Sequence, residues 1–80
     1  MRLDKFLKIS RIIKRRTVAN EACDTGRVSV NGRPAKASTQ INEKDIIEIR
    51  FGDTPKKYEV LEVRETVGKA NAEDLYRVIE

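Results

Sequence analysis

Residues 14–32, KRRTVANEACDTGRVSVNG, set a basic cluster at the mouth of a short helix and follow the helix at once with a tight hairpin. Thr17 is placed to act as an N-cap, its hydroxyl accepting a backbone N–H of the first turn. Gly26 is placed as the stop, because glycine takes the left-handed conformation without a Cβ penalty. The spacing therefore predicts a helix over 17–26. Val18, Ala22 and the neighbouring Ala19 and Cys23 recur at three- and four-residue intervals, a stripe of small apolar side chains predicted to face inward and to lie close to a sheet. Lys14, Arg15 and Arg16 then stand beside the unsatisfied N–H groups and the positive dipole end of that helix. A phosphate there would meet fixed charges and free donors together, which points to an RNA-backbone site.

Upstream, residues 1–10 read as a first helix with Leu3, Phe6, Leu7 and Ser10 on one face and Arg2, Lys5 and Lys8 on another. Asp4 interrupts the basic run near the helix start, where it suits the dipole and can reach Lys8 one turn on, a structural role. In the connection that follows, Ile12 and Ile13 are expected to enter the core while Arg11 stays outside with Lys14, Arg15 and Arg16. Downstream, Arg27-Val28-Ser29-Val30 alternates polar and apolar residues, and Asn31-Gly32 predicts a two-residue hairpin turn because both residues tolerate positive φ. The return strand is expected to run on through Pro34 into residues 35–37, carrying Arg33 and Lys36 toward the same ligand as the helix mouth.

Residues 38–43 read as a loop anchored by Ile41, residues 42–45 as a turn, and residues 46–51 as a strand that alternation makes a core element up to Phe51. A turn at 52–55 leads to a strand over 57–63 that pairs back as a hairpin. Residues 66–71 read as a loop. Residues 72–76 suit one turn of helix capped by Asn71, and residues 75–79 suit a strand; periodicity supports both.

Eighty residues allow one small domain. No run of eighteen apolar residues and no signal-type apolar segment occurs, so the expectation is a cytoplasmic protein with no membrane association. The lone Cys23 sits on the apolar stripe, where a small core residue is expected. From Met1 to Lys36 ten Lys or Arg face three acids, a balance of +7, whereas the remainder carries seven against ten, a balance of −3. That asymmetry favours a polyanion bound by the first half. Catalysis is disfavoured: there is no histidine, one cysteine cannot build a metal cluster, and the glycines are isolated turn residues rather than a phosphate-cradling loop. No cofactor or metal is expected. Base stacking is also disfavoured while Phe6 and Phe51 are assigned to the core, leaving backbone and shape recognition of structured RNA.

Arg2-Leu3-Asp4-Lys5-Phe6-Leu7, Ser10-Arg11, Arg16-Thr17-Val18-Ala19, Gly26-Arg27-Val28-Ser29-Val30-Asn31-Gly32 and Asp45-Ile46-Ile47-Glu48-Ile49 resemble the S4-type, or alpha-L, RNA-binding domain. The likeness is nearest to its small bacterial ribosome quality control members, homologues of the ribosome-associated heat-shock protein. It implies an α+β fold with two N-terminal helices packed on a small bent antiparallel sheet, a domain over 1–64, and a C-terminal extension over 65–80 packed on it. It further implies a non-enzymatic monomer that binds large-subunit ribosomal RNA and peptidyl-tRNA after a stalled ribosome splits, and that supports the tailing factor RqcH in adding alanines. The family's RNA contacts fall on Arg2, Lys5, Arg11, Lys14, Arg15 and Arg16, foremost Arg2 and Arg16. Lys8, Arg33 and Lys36 join them from the basic stripe and hairpin, with Asp4, Thr17, Gly26, Asn31 and Gly32 as structural residues.

Three alternatives bear on this expectation. Enzymes carrying the domain would need a catalytic part for which this chain has no room. The heat-shock relative has a long basic tail, where this sequence has an acidic second half. A protein-interaction module using that acidic half predicts binding indifferent to Arg15, Arg16 and salt.

Overall fold

A computed structural model describes residues 1–64, 72 and 74–79. Two helices, α1 (Leu3–Ile9) and α2 (Arg16–Asp24), precede strands β1 (Val28–Val30), β2 (Arg33–Pro34), β3 (Ile46–Phe51), β4 (Thr54–Val60) and β5 (Tyr76–Ile79). The strands form one antiparallel sheet in the order β2-β1-β3-β4-β5.

The expected face of α1 is the buried one: Leu3, Phe6, Leu7 and Ser10 have no exposed surface. Ile13 is buried and Ile12 packs half-buried against the same cluster, which takes in Ile47, Ile49 and Val60 of the sheet and Leu75 beyond it. The helix is shorter at both ends than residues 1–10, because a loop takes up its start. Leu3 N–H donates to the Thr39 carbonyl at 2.8 Å and Asp4 N–H to that of Ala37 at 3.2 Å, while Ile41 N–H donates to Met1 at 2.9 Å. Ile41 is thereby buried, as expected of the loop's anchor.

The second helix begins one residue earlier than expected, and Thr17 lies inside it rather than capping it. Arg15 takes the N-cap position with extended backbone, and no side chain bonds the first-turn N–H groups. Its end obeys the glycine signal. Gly26 has φ +82, Gly26 N–H donates to Cys23 at 3.2 Å and Arg27 N–H to Ala22 at 3.0 Å, the paired bonds that close a helix on a left-handed residue. Of the predicted stripe, Ala19, Ala22 and Cys23 are buried, but Val18 is 43% exposed. Its position lies at the edge of the inward arc, where it lines an open cleft with Phe51 and not the closed core.

Burial of Cys23, with Asp4 and Asp24 adding, pushes its thiol up to about 11 from an ordinary 9.0. A group raised in the folded state gives stability that is present below its unfolded value and is lost as pH rises between those two values. The urea midpoint of the parent is therefore expected to fall from pH 8 to pH 10.5 more steeply than that of Cys23→Ala. Equal slopes would contradict a buried thiol.

The first hairpin turns on Asn31 (φ 53) and Gly32 (φ 82), with Val30 opposite Arg33. Asn31 does more than turn: its side chain accepts from Ile46 N–H at 2.9 Å and donates to Asp45 at 3.1 Å, fixing the hairpin tip to the start of β3. The return strand stops at Pro34 rather than running to Ala37. Pro34 has no N–H for the ladder, and Ala35 and Ala37 turn into the core instead.

Strand β3 matches its expected span, and β4 pairs back on it through a two-residue turn at Gly52-Asp53, three residues earlier than predicted. Phe51 corrects the expectation that it joins the core: it is 48% exposed, in the last pair before the turn, where it borders an open cleft beside α2 and not the closed core. Both readings of the C-terminal segment hold in part. Residues 72, 74 and 75 adopt a 3-10 turn, and Tyr76–Ile79 then adds β5, with Tyr76 opposite Val60 and the Tyr76 ring edge-on to Tyr58. The predicted loop at 66–71 and cap at Asn71 lie outside the described residues.

Candidate nucleic-acid interface

Asp4 organises the basic surface. It is 2% exposed, yet its carboxylate is fully engaged by donors from two helices. Arg2 approaches side-on, Nε to Oδ1 at 3.2 Å and Nη2 to Oδ2 at 3.3 Å. Arg16 Nε reaches Oδ2 at 3.5 Å, Asn20 Nδ2 reaches it at 3.3 Å, and Lys5 N–H donates to Oδ1 at 2.8 Å. The sequence expectation of an Asp4–Lys8 pair is corrected: the side-chain partners are Arg2, before the helix, and Arg16 and Asn20 on α2. Arg16 and Asn20 stand one turn apart on α2, so both side chains reach the same carboxylate.

Burial by itself would raise the Asp4 carboxyl, but hydrogen bonds from Asn20, Arg16 and Arg2 and the Arg16 charge outweigh it and hold the group below its ordinary 3.8. It is an anion at neutral pH. Neither guanidinium is consumed by that anion, since Arg2 and Arg16 remain 46% and 48% exposed. With Thr17 and Asn20 they line an open depression whose floor is Asp4. A buried carboxylate thus holds two forked donors in fixed orientation while their outer N–H groups face solvent, a geometry suited to phosphate oxygens.

The start of α2 adds to this. Its first turn carries no acidic residue and no side-chain cap, and it has Arg15 and Arg16 where the dipole disfavours cations. Unlike α1, whose first N–H groups are taken by loop carbonyls, its first turn has no such partner among the described residues and leaves donors for an anion. Lys14 and Arg15 are exposed beside them.

Of the other predicted RNA-binding residues, only Lys5, through its backbone N–H, bonds to Asp4 among the described residues. Lys8 is exposed and Lys5 half-buried on α1. Lys36 is exposed in the loop that pairs with the start of α1, while Arg33 is exposed on β2, the far edge strand of the sheet. Arg11 is exposed with φ 64 at the position after the C-cap of α1, where glycine is the unstrained choice. Arg11→Gly is expected to raise stability by about 1 kcal/mol while weakening RNA binding. A melt unchanged or lowered by that substitution would contradict the strain. Thr17 lines the depression rather than capping the helix, and Asn20, which sequence reading passed over, is a full member of the cluster. A polar residue one turn after Arg16 was the available signal.

Comparison with known proteins identifies the family. The S4 domain profile matches residues 1–47. The chain is similar to the RQC P-site tRNA stabilizing factor of Halalkalibacterium halodurans, 55% identical over 98% of this chain and 89% of that protein. It is likewise similar to that of Streptococcus pneumoniae, 52% identical over 99% and 90%. Among solved structures, trimeric Vibrio cholerae Heat Shock Protein 15 matches with a TM-score of 0.88 at 31% identity, over 99% of this chain and 81% of that one.

Proposed function

The chain belongs to the S4 domain family and, within it, to the RQC P-site tRNA stabilizing factors (RqcP), and from that premise we propose how its basic surface serves ribosome quality control. It is a non-enzymatic RNA-binding protein. It binds the large ribosomal subunit that retains peptidyl-tRNA after a stalled ribosome has split, contacts ribosomal RNA and the P-site tRNA, and acts as a monomer. By holding that tRNA it keeps the nascent chain in place while RqcH adds alanines without a template.

The observation that carries this reading is the pair of half-exposed guanidinium groups fixed on the buried Asp4 at the uncapped start of α2. Arg2, Lys5, Lys8, Arg11, Lys14, Arg15, Arg16 and Lys36 extend the surface on which a bent RNA backbone would lie, with Arg33 reaching it from the hairpin. Such contacts displace counterions from RNA, so affinity falls with salt by a slope set by the number of phosphates engaged.

Titrating purified large subunits with the protein between 50 and 200 mM salt tests it. An engagement of about four to six phosphates predicts a loss of affinity on the order of a hundredfold or more across that range. Arg16→Ala is expected to lower the slope by about one as well as the affinity. A flat salt response, unaffected by Arg16→Ala, would instead support a protein partner bound through the acidic second half.

A further inference from the structure

Phe51 ends β3 on the side of the sheet that faces the helices, yet half of it is open to solvent, as is Val18 of α2. Together with Glu21, Ala22, Thr25 and Arg27 they line a cleft of about 160 Å³. Arg16 and Asn20 lie on one flank of α2, whereas Val18, Glu21, Ala22 and Thr25 recur at three- and four-residue spacing on the other. The cleft therefore lies across the helix from the Asp4 cluster, on an element only about 14 Å long.

We propose that this cleft takes one unpaired nucleobase of the bound RNA, stacked on the Phe51 ring, with the Arg27 guanidinium against its other face or its adjoining phosphate. The inference rests on the RNA-binding reading above. Three features select a base as the occupant. The space suits a single flat ring and not the face of a protein helix. An aromatic ring beside an arginine is the pairing that holds splayed-out bases. The rim also presents the Glu21 carboxylate, able to accept from base N–H groups, while the Thr25 hydroxyl donates back to the Glu21 and Ala22 carbonyls and offers only acceptor capacity. An apolar protein side chain in the same place would cover Glu21 and Arg27 and satisfy neither. RNA would then grip both flanks of α2, by phosphate contacts at Arg2 and Arg16 and by stacking at Phe51.

The test measures binding of the full chain to isolated large subunits carrying peptidyl-tRNA, for the parent, Phe51→Leu, Phe51→Tyr and Arg16→Ala. Ultraviolet cross-linking of the parent complex is mapped in parallel. Phe51→Leu keeps apolar bulk but removes the ring, and is expected to weaken binding about tenfold while melting like the parent. Phe51→Tyr should bind within about twofold of the parent, since any aromatic face serves. The cross-linked peptide containing Phe51 should carry a nucleotide. If Phe51→Leu binds like the parent while Arg16→Ala is weakened, the cleft holds no base and the RNA reading survives. A cross-link from Phe51 to ribosomal protein likewise overturns the proposal and makes the cleft a protein contact. If neither variant is weakened, the RNA reading itself fails.

Discussion

Asp4→Ala is expected to cost about 2 kcal/mol of stability and to weaken large-subunit binding by ten- to a hundredfold, although Asp4 touches no ligand. Removing the carboxylate leaves Lys5 N–H and the Asn20 amide without their acceptor at the part-buried floor of the depression, a loss of about 1–3 kcal/mol. Arg2 and Arg16 are half exposed, so water takes over their inner donors and they suffer little directly. What they lose is orientation. Each freed side chain must then be ordered when RNA binds, at about 0.5–1.5 kcal/mol apiece. Asp4→Asn keeps the size and one acceptor and should fall between parent and alanine variant. Because the Asp4 carboxyl is held below its ordinary 3.8, the stability it provides is present above that value and is lost as pH falls through the lowered one. Acid unfolding of the parent should show this loss, and Asp4→Asn should not. If Asp4→Ala melts and binds as the parent does, the two arginines are not held by it.

Phe6→Ala is expected to remove about 3–5 kcal/mol, the range for a large buried aromatic whose cavity cannot close. Phe6 has no exposed surface and shares one core with Leu3, Leu7, Ile41, Ile47 and Ile49. A single core in a domain of this size supplies a net stability of similar magnitude. The variant should therefore be unfolded, or nearly so, at 37 °C by circular dichroism. Phe51→Ala, at a half-exposed ring, should cost less than about 1 kcal/mol. Two phenylalanines that alternation and periodicity place alike thus separate by several kcal/mol. A cooperative melt of Phe6→Ala near that of the parent would contradict the assigned core.

The contrast marks what was legible in the sequence. Local chemistry identified the buried face of α1 from Leu3, Phe6, Leu7 and Ser10, the turn at Asn31-Gly32, the helix stop at Gly26 and the whole of β3, because each depends on a few neighbouring residues. Val18 and Phe51 escaped because periodicity assigns a face and is silent on how far the opposing element extends to cover it. Thr17 escaped because the cap preference is weak against the tertiary placement of α2, which begins at Arg16. At the C-terminus the strand over Tyr76–Ile79 was settled by pairing with β4, from Val60 opposite Tyr76 to Lys57 opposite Ile79, contacts 16 to 22 residues apart in sequence. The basic cluster was visible as charge, but its geometry was not. The donors of Arg16 and Asn20 meet Asp4 across 12 and 16 residues, and no local spacing rule reports that.

The most direct measurement is sedimentation of the tagged protein from cell lysate through a sucrose gradient, parent against Arg16→Ala, at low and moderate salt. Co-migration of the parent with free large subunits, weakened by salt and lost in a variant that still folds, is the predicted result. Parent protein confined to the top of the gradient at both salts, or a variant that migrates with large subunits as the parent does, would contradict it.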